Sequence, residues 1–318
     1  MLPVISFYLE HEAALHTAGA WIMIGVGTIV LITELCGVVA PYGRHGMAGS
    51  SWFGPLINAK VAWAVQESGA FLVPAALLCF GEPRCLHSWT NWLLLSMFMV
   101  HYFQRSFIYP PLMRGGKPMP IGICFLALTF CVFNGWLQGR LWTSLEVREV
   151  PTSAADAACL GLGFSLWAAG FAINLHADSV LRGLRKTPGD TTYYVPRGER
   201  DRVGTSHPPA AATRSIWTHA HATCACACHM HVYMCARHKR TYMSHAGGAF
   251  EYVSAANYFG ELVEWCGYAL AARHVAAFAF AYFTFCNLAP RAKAHHEWYQ
   301  KKIEGYPRSR KAMLPFVW

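Results

Sequence analysis

The sequence predicts an all-α, polytopic membrane protein with seven transmembrane helices. Three observations carry that reading. Of its 318 residues, 54% are hydrophobic and only 14% are charged, against about 25% charged in an average soluble domain. Mean hydropathy is +0.26. Seven apolar runs lie near residues 17–40, 62–80, 89–109, 119–138, 156–176, 257–273 and 274–290, each close to the length that crosses a ~30 Å hydrocarbon layer as helix. A disordered chain is excluded, and an ordinary soluble globule fits poorly. The last two runs are divided only by Arg273 and His274.

Charge position sets the expected orientation. The net charge is +9, but its location points to membrane topology rather than to nucleic acid. No Lys or Arg precedes the first run. Arg44 and Lys60 follow it, Arg114 and Lys117 follow the third, and Arg182, Arg185, Lys186 and Arg197 follow the fifth. The tail carries Arg291, Lys293, Lys301, Lys302, Arg308, Arg310 and Lys311. The positive-inside rule then puts the N-terminus in the lumen and the C-terminus in the cytosol. The N-terminal stretch has no basic segment, so no cleavable signal peptide is expected. The 12 cysteines, mostly inside apolar runs, outline no disulfide framework.

Residues 199–247 break the pattern. Within them, THAHATCACACHMHVYMCAR (218–237) alternates Thr/Ala/Met/Val with His/Cys/Tyr/Arg. In-frame translation of alternating purine–pyrimidine DNA yields that alternation. Seven His and four Cys in the segment also raise a metal site, but Cys-x-Cys-x-Cys spacing lacks a zinc knuckle. The expectation is a low-complexity, disordered cytosolic insertion within a single reductase domain spanning 1–318, arising from a translated repeat or retained intron. Loop length adds little to closure entropy, ~0.6 kcal/mol per doubling, so the segment is expected to be dispensable.

Three polar constellations interrupt the apolar runs. Asn174, Asp178, Arg182 and Arg185 recur at helical spacing. Amide, carboxylate and guanidinium on one face suit an amide, a ribose hydroxyl and a phosphate; a snorkelling helix end at the membrane interface is the alternative. Asn257, Glu261, Glu264 and Trp265 share a second face, with Arg291, His295, His296 and Tyr299 as candidate partners. The third is Gln66–Glu67 with Tyr102. A carboxyl and a phenol side by side in an apolar setting can both donate to a carbonyl oxygen; equally, they can simply tie helices together. No G-x-G-x-x-G or P-loop occurs, so a nucleotide would be held without a Rossmann unit.

The segments APYGRHG (40–46), Gln66–Glu67, HYFQRSFIYP (101–110), NLHADSVLRGLRKTPGDTTYYVPRG (174–198), GAFEYVSAANYFGELVEWCGYALA (248–271) and RAKAHHEWYQKKIEGYPRSRKAMLPF (291–316) resemble the steroid 5α-reductase family, its type 1 branch in particular. The resemblance spans nearly all of the chain except 199–247. It implies a seven-helix endoplasmic reticulum enzyme that uses NADPH to reduce the Δ4 double bond of 3-oxo steroids. It also implies that the steroid enters from the bilayer among membrane lipid, with no nucleic acid and no obligate protein partner.

Position by position, the resemblance implies Glu67 and Tyr102 as the pair bonding the 3-oxo group, Gln66 beside the reacting ring and Trp63 as a pocket aromatic. It implies Tyr42, Arg44, Arg105, Tyr109, Arg114, Asn174, Asp178, Arg185, Tyr193, Asn257, Glu261, Arg291, His295 and Tyr299 as cofactor contacts, and no metal. Three departures from the family pattern stand out: Ser68-Gly69 where Leu-Pro usually follows Gln-Glu, Tyr194 where a basic residue is usual, and an extra Gly in MRGGK (113–117). Competing readings are a related reductase of polyprenols or very-long-chain enoyl-CoA, a seven-span receptor or transporter, and an inactive product of an unspliced transcript.

Overall fold

The computed structural model describes residues 2–37, 53–184, 194–197, 242–245, 247–303 and 306–318. Among these, seven long helices dominate: α1 (Leu2–Leu35), α2 (Ala59–Phe80), α3 (Trp89–Phe103), α5 (Ile121–Arg140), α6 (Ala154–Gly183), α7 (Ala256–Ala272) and α8 (Val275–Lys302). A π-helical turn, Gln104–Ile108, carries α3 into the short α4 (Tyr109–Leu112), and a second, Leu141–Leu145, ends α5. Strands are minimal. β1 (Leu56–Ile57) pairs antiparallel with β2 (Met119–Pro120), and β3 (Tyr194–Arg197) pairs parallel with β4 (Tyr242–His245).

The helices overlie the seven apolar runs, with shifted ends. The first begins at Leu2 rather than near residue 17, and the last runs on past residue 290 to Lys302. Helices of apolar sequence satisfy their own backbone groups, which hydrocarbon requires. Four of them, α1, α2, α5 with its π turn, and α6, are long and apolar enough to cross a membrane. The chain is therefore a polytopic, all-α membrane protein. The helices α3 and α7 are shorter, 15 and 17 residues.

Local chemistry sets several boundaries. The Asn58 side chain accepts from Lys60 N (2.9 Å) at the start of α2, and Ser153 Oγ accepts from Asp156 N (3.0 Å) at the start of α6, the usual N-cap solution for orphan amides. Between α7 and α8 the turn is tight. Arg273 takes the left-handed conformation (φ 50°), and the His274 ring accepts from Ala276 N (3.1 Å) to start the next helix. The extra glycine of MRGGK falls in a loop where Gly115 and Gly116 both have positive φ, 71° and 131°, a region open to glycine. At Ser68-Gly69, α2 continues as helix.

Glycines bring two helix pairs into backbone contact. A Cβ on Gly163 of α6 would sit 2.5 Å from Ala271 N, and one on Gly260 of α7 would sit 2.6 Å from Asn174 N. Gly170 meets the backbone of Glu264, and Gly267 meets that of Trp167. Each helix thus offers two glycines seven residues apart to its antiparallel neighbour, the small-residue packing that membrane helices use. A looser version joins α2 to α5, where a Cβ on Gly135 would lie 2.9 Å from Gly69 O.

The helix α1 is clasped near both ends. Arg140 donates to both Glu12 oxygens (2.6 and 2.7 Å), while Arg291 approaches Glu34 at 3.2 Å. Between these ends lies an aromatic core that includes Phe98, Trp142, Trp265, Tyr268 and Phe280.

The glycine packing makes a direct prediction. Gly163→Val should destabilise the protein by about 2 kcal/mol or more, as overpacking does. Gly161→Val, two residues away where nothing lies within 4 Å of a Cβ, should change stability by less than about 0.5 kcal/mol. Thermal unfolding in detergent micelles reads the difference.

Candidate functional site

The α6–α7 contact aligns two polar faces. Asn174 and Asp178 project from α6 one turn apart, and Asn257 and Glu261 project from α7 one turn apart. Asn174 Nδ2 donates to Asn257 O (3.0 Å), and Asn257 Nδ2 reaches Asp178 Oδ1 at 3.4 Å. Arg105, on the π turn after α3, enters from the third side. Its Nη1 donates to Asp178 Oδ2 (3.0 Å) and its Nη2 lies 4.0 Å from Glu261 Oε2. Asp178 and Arg105 are buried. Breaking such a pair by removing one partner typically costs about 3–5 kcal/mol.

Aromatic rings flank the guanidinium. Arg105 Cζ stands 5.0 Å from the Trp63 ring centre and 4.9 Å from that of Tyr109, and the two rings are 5.5 Å apart. Arg182 approaches the Tyr109 ring at 5.9 Å. Cation–π contacts of this kind fix a guanidinium's plane as well as its place.

One turn deeper, His101 Nδ1 and Glu264 Oε1 are 2.7 Å apart, and both residues are buried. Each sits one turn from a member of the Arg105 group, His101 on α3 and Glu264 on α7. The polar faces of α3, α6 and α7 therefore form one continuous seam.

The Gln66–Glu67–Tyr102 group adjoins that seam. Glu67 Oε1 accepts from Gln66 Nε2 (3.2 Å), and Glu67 Oε2 lies 4.0 Å from the Cys131 thiol. Tyr102 is 4% exposed, and its hydroxyl accepts from Asn134 Nδ2 at 3.4 Å. Cys131 and Asn134 are one turn apart on α5, so Glu67 and Tyr102 meet the same face of that helix. Tyr102 is buried and Glu67 is half-buried. Asn174 Oδ1 and Gln66 Oε1 are buried with no hydrogen-bond partner among the described residues, as are Gln104 Oε1 and Glu264 Oε2. Buried polar atoms are normally hydrogen-bonded, so each such acceptor has capacity for a further donor.

The tail folds back over the entrance of α7. Ser254 N donates to Lys311 O (2.8 Å) and Ala255 N to Ala312 O (3.1 Å). Ser254 Oγ lies 2.6 Å from His296 Nδ1 and 2.7 Å from Tyr306 OH. Burial pushes the Tyr306 phenol up and the His296 imidazole down from their ordinary values, so both stay neutral in this contact near pH 7. His295 packs against Tyr258 (5.8 Å), and Tyr299 packs against Tyr306 (5.4 Å).

The structure thus gathers Arg105, Tyr109, Asn174, Asp178, Asn257 and Glu261 in one place, with Gln66, Glu67 and Tyr102 beside them. Trp63, expected as a steroid-pocket aromatic, lies against Arg105 and Tyr109. Arg291 meets Glu34 on α1, and Arg114 is exposed in the loop after α4. Tyr42, Arg44, Arg185 and Tyr193 lie outside the described residues, as does most of 199–247. Three groups went unremarked in the sequence: Glu34, Asn134 and Gln138. A polar residue isolated in an apolar run is the signal that could have found them.

Comparison with known proteins gives the arrangement a family. A family model described as 3-oxo-5-alpha-steroid 4-dehydrogenase matches residues 117–200 and 212–318. The chain is 40% identical over 306 residues to 3-oxo-5-alpha-steroid 4-dehydrogenase 1 of Macaca fascicularis, covering 96% of this chain and 95% of that one. It is 41% identical over 314 residues to the Bos taurus protein of the same name, covering 98% and 97%. To 3-oxo-5-alpha-steroid 4-dehydrogenase 2 of Rattus norvegicus it is 35% identical over 300 residues, covering 94% and 95%. With these matches over nearly its full length, and with both polar groups assembled on one seam, the chain belongs to the 3-oxo-5-alpha-steroid 4-dehydrogenase family, the steroid 5α-reductases, and is type 1-like.

Proposed function

We propose that this protein is a membrane-embedded oxidoreductase that reduces the Δ4 double bond of 3-oxo steroids such as testosterone and progesterone, giving the 5α-dihydro products with NADPH. The observation that carries the reading is the adjacency of two groups. A carboxyl–phenol pair, Glu67 and Tyr102, stands next to an Arg–carboxylate–amide cluster at the ends of α3, α6 and α7. The first suits a ketone and the second a charged dinucleotide.

The residues fit such a cofactor. The buried, unpartnered Asn174 Oδ1 is an acceptor for a carboxamide N–H, and Gln66 Oε1 is another. Carboxylates such as Asp178 and Glu261 suit ribose hydroxyls. The basic residues Arg114, Arg185 and Arg291, with Arg44, Tyr42 and Tyr193, would meet the phosphates and the adenosine half, and His295 and Tyr299 would close over it. When bound, NADPH supplies the hydride.

The chain's own residues do the rest. Hydride arriving at C5 of the enone shifts the double-bond electrons onto the 3-oxygen. Tyr102 and the Glu67 carboxyl donate to that oxygen as its charge grows, so they stabilise the transition state more than the bound ketone. Gln66 holds the Glu67 carboxyl through its 3.2 Å bond and faces the reacting ring. A proton added at C4 completes the reduction.

We place the seven helices across the endoplasmic reticulum membrane, N-terminus luminal and C-terminus cytosolic, as the Lys/Arg distribution indicates. The seam then opens towards the cytosol, where NADPH is found. The steroid arrives through the bilayer; an apolar groove lined by Phe71, Trp92, Leu95, Met99 and Phe103 opens on the flank one turn from Glu67. Residues 199–247 stand as an insertion within this single domain.

Microsomes holding the full chain should reduce testosterone when given NADPH. Activity confined to polyprenal or enoyl-CoA would overturn the reading. Glu67→Gln should lower kcat by the equivalent of ~2–4 kcal/mol, about the worth of one oxyanion donor, and unchanged turnover would remove Glu67 from the chemistry. Arg185→Ala should raise the KM for NADPH by about tenfold or more, the scale of one charge-assisted hydrogen bond, with the steroid KM nearly constant. Parallel losses for both ligands would point to a folding defect instead.

A further inference from the structure

Tyr102 does not stand alone in the core. Its hydroxyl is the last member of a chain of buried polar side chains running through α5 to α7. Trp142 Nε1 donates to Tyr268 OH (2.8 Å), and Tyr268 OH donates to Gln138 Oε1 (3.0 Å). Gln138 Nε2 donates to Asn134 Oδ1 (3.3 Å), and Asn134 Nδ2 donates to Tyr102 OH (3.4 Å). Trp142, Tyr268, Gln138 and Asn134 are all fully buried.

The direction of this chain is fixed by groups that have only one role. An indole N–H can only donate, so the Tyr268 oxygen accepts from Trp142 and its proton goes onward. A backbone carbonyl can only accept, and Gln138 Nε2 lies 3.1 Å from Ala276 O. That pins the nitrogen of the Gln138 amide on one side and its oxygen towards Tyr268. The Gln138 nitrogen then faces Asn134, which sets Asn134's oxygen inward and its nitrogen towards Tyr102. Neither amide can flip without placing two donors or two acceptors together in a dry core, a costly arrangement.

The consequence falls on the Tyr102 proton. With its oxygen accepting from Asn134, the hydroxyl cannot donate back along the chain, which leaves its hydrogen for the 3-oxo oxygen of the proposed substrate. Each bond in a one-way chain also polarises the next. We infer that Trp142, Tyr268, Gln138 and Asn134 are positioning residues that aim the Tyr102 hydroxyl at the 3-oxo oxygen and strengthen it as a donor. None of the four touches substrate in this account; each acts through Tyr102. The bonds of 3.3–3.4 Å nearest Tyr102 are of the length that tightens when an active site fills. This inference rests on the proposed steroid-reductase reading, since it assigns the network a task within that reaction.

A double-mutant cycle tests it. Asn134→Asp replaces the donor with an acceptor of the same shape, which would draw the Tyr102 proton away from the ketone. It should lower kcat by about 10²-fold, approaching Tyr102→Phe, the scale of a lost oxyanion donor. Tyr268→Phe, which removes only the hydroxyl in mid-chain, should lower kcat by about fivefold with the steroid KM within about twofold of the parent. In a Tyr102→Phe background, both substitutions should have almost no further effect on kcat, because the residue they act through is gone.

Losses that multiply in that background would show a general structural role and overturn the inference, as would full kcat in Asn134→Asp and Tyr268→Phe. NADPH binding by cofactor fluorescence, measured on each variant, separates a folded protein from a collapsed one. Tyr268→Phe keeps the test open if Asn134→Asp does not fold. If the parent chain turns over no 3-oxo-Δ4 steroid while binding NADPH, the steroid reading itself fails, an outcome distinct from the loss of non-additivity.

Discussion

The contact between α6 and α7 is the constraint on which the site depends. Four glycines, Gly163 and Gly170 facing Gly260 and Gly267, let two backbones touch. Lipid provides no hydrophobic drive for helix association, so close packing and polar contacts must hold the pair. At the end where the two helices meet the tail, their polar faces come within direct bonding distance, and Asn174 joins Asn257. Were the axes a side chain further apart, these short amides and carboxylates would not reach each other. Arg105 would then lack the pocket formed by Asp178 and Glu261.

Three arginines of the helix bundle are paired with carboxylates. Arg105 has two carboxylates and two aromatic rings, Arg140 has Glu12, and Arg291 has Glu34. An ionisable group at membrane depth costs about 2.5–3.5 kcal/mol on insertion scales. Each of these pairs ties together helices distant in sequence, so the same groups that are expensive singly define which helices are neighbours. The bundle's order is written partly in its ion pairs.

Much of this was legible in the sequence, and the limits have physical causes. The apolar runs located seven long helices, four of which are long and apolar enough to cross a membrane. The helix α1 begins at Leu2, well before the apolar run near 17–40, and its first turns carry Glu10 and Glu12. Glu12 is tolerated only because Arg140, 128 positions later, neutralises it, and no local pattern encodes that. The i, i+4 faces of Asn174–Asp178 and Asn257–Glu261 were visible, since helical periodicity is local. Which cation joined them was not, because Arg105 reaches Asp178 across 73 positions. The amides Asn134 and Gln138 are isolated polar residues in a greasy run, and only their four-residue spacing puts them on one face.

The short parallel ladder between Tyr194–Arg197 and Tyr242–His245 carries a topological demand of its own. Antiparallel neighbours can be joined by a two-residue turn. Parallel ones need a return path of about a dozen residues or more. A version of the chain in which Gly198 ran straight into Gly248 would lack Tyr242–His245 and so would forgo the pairing.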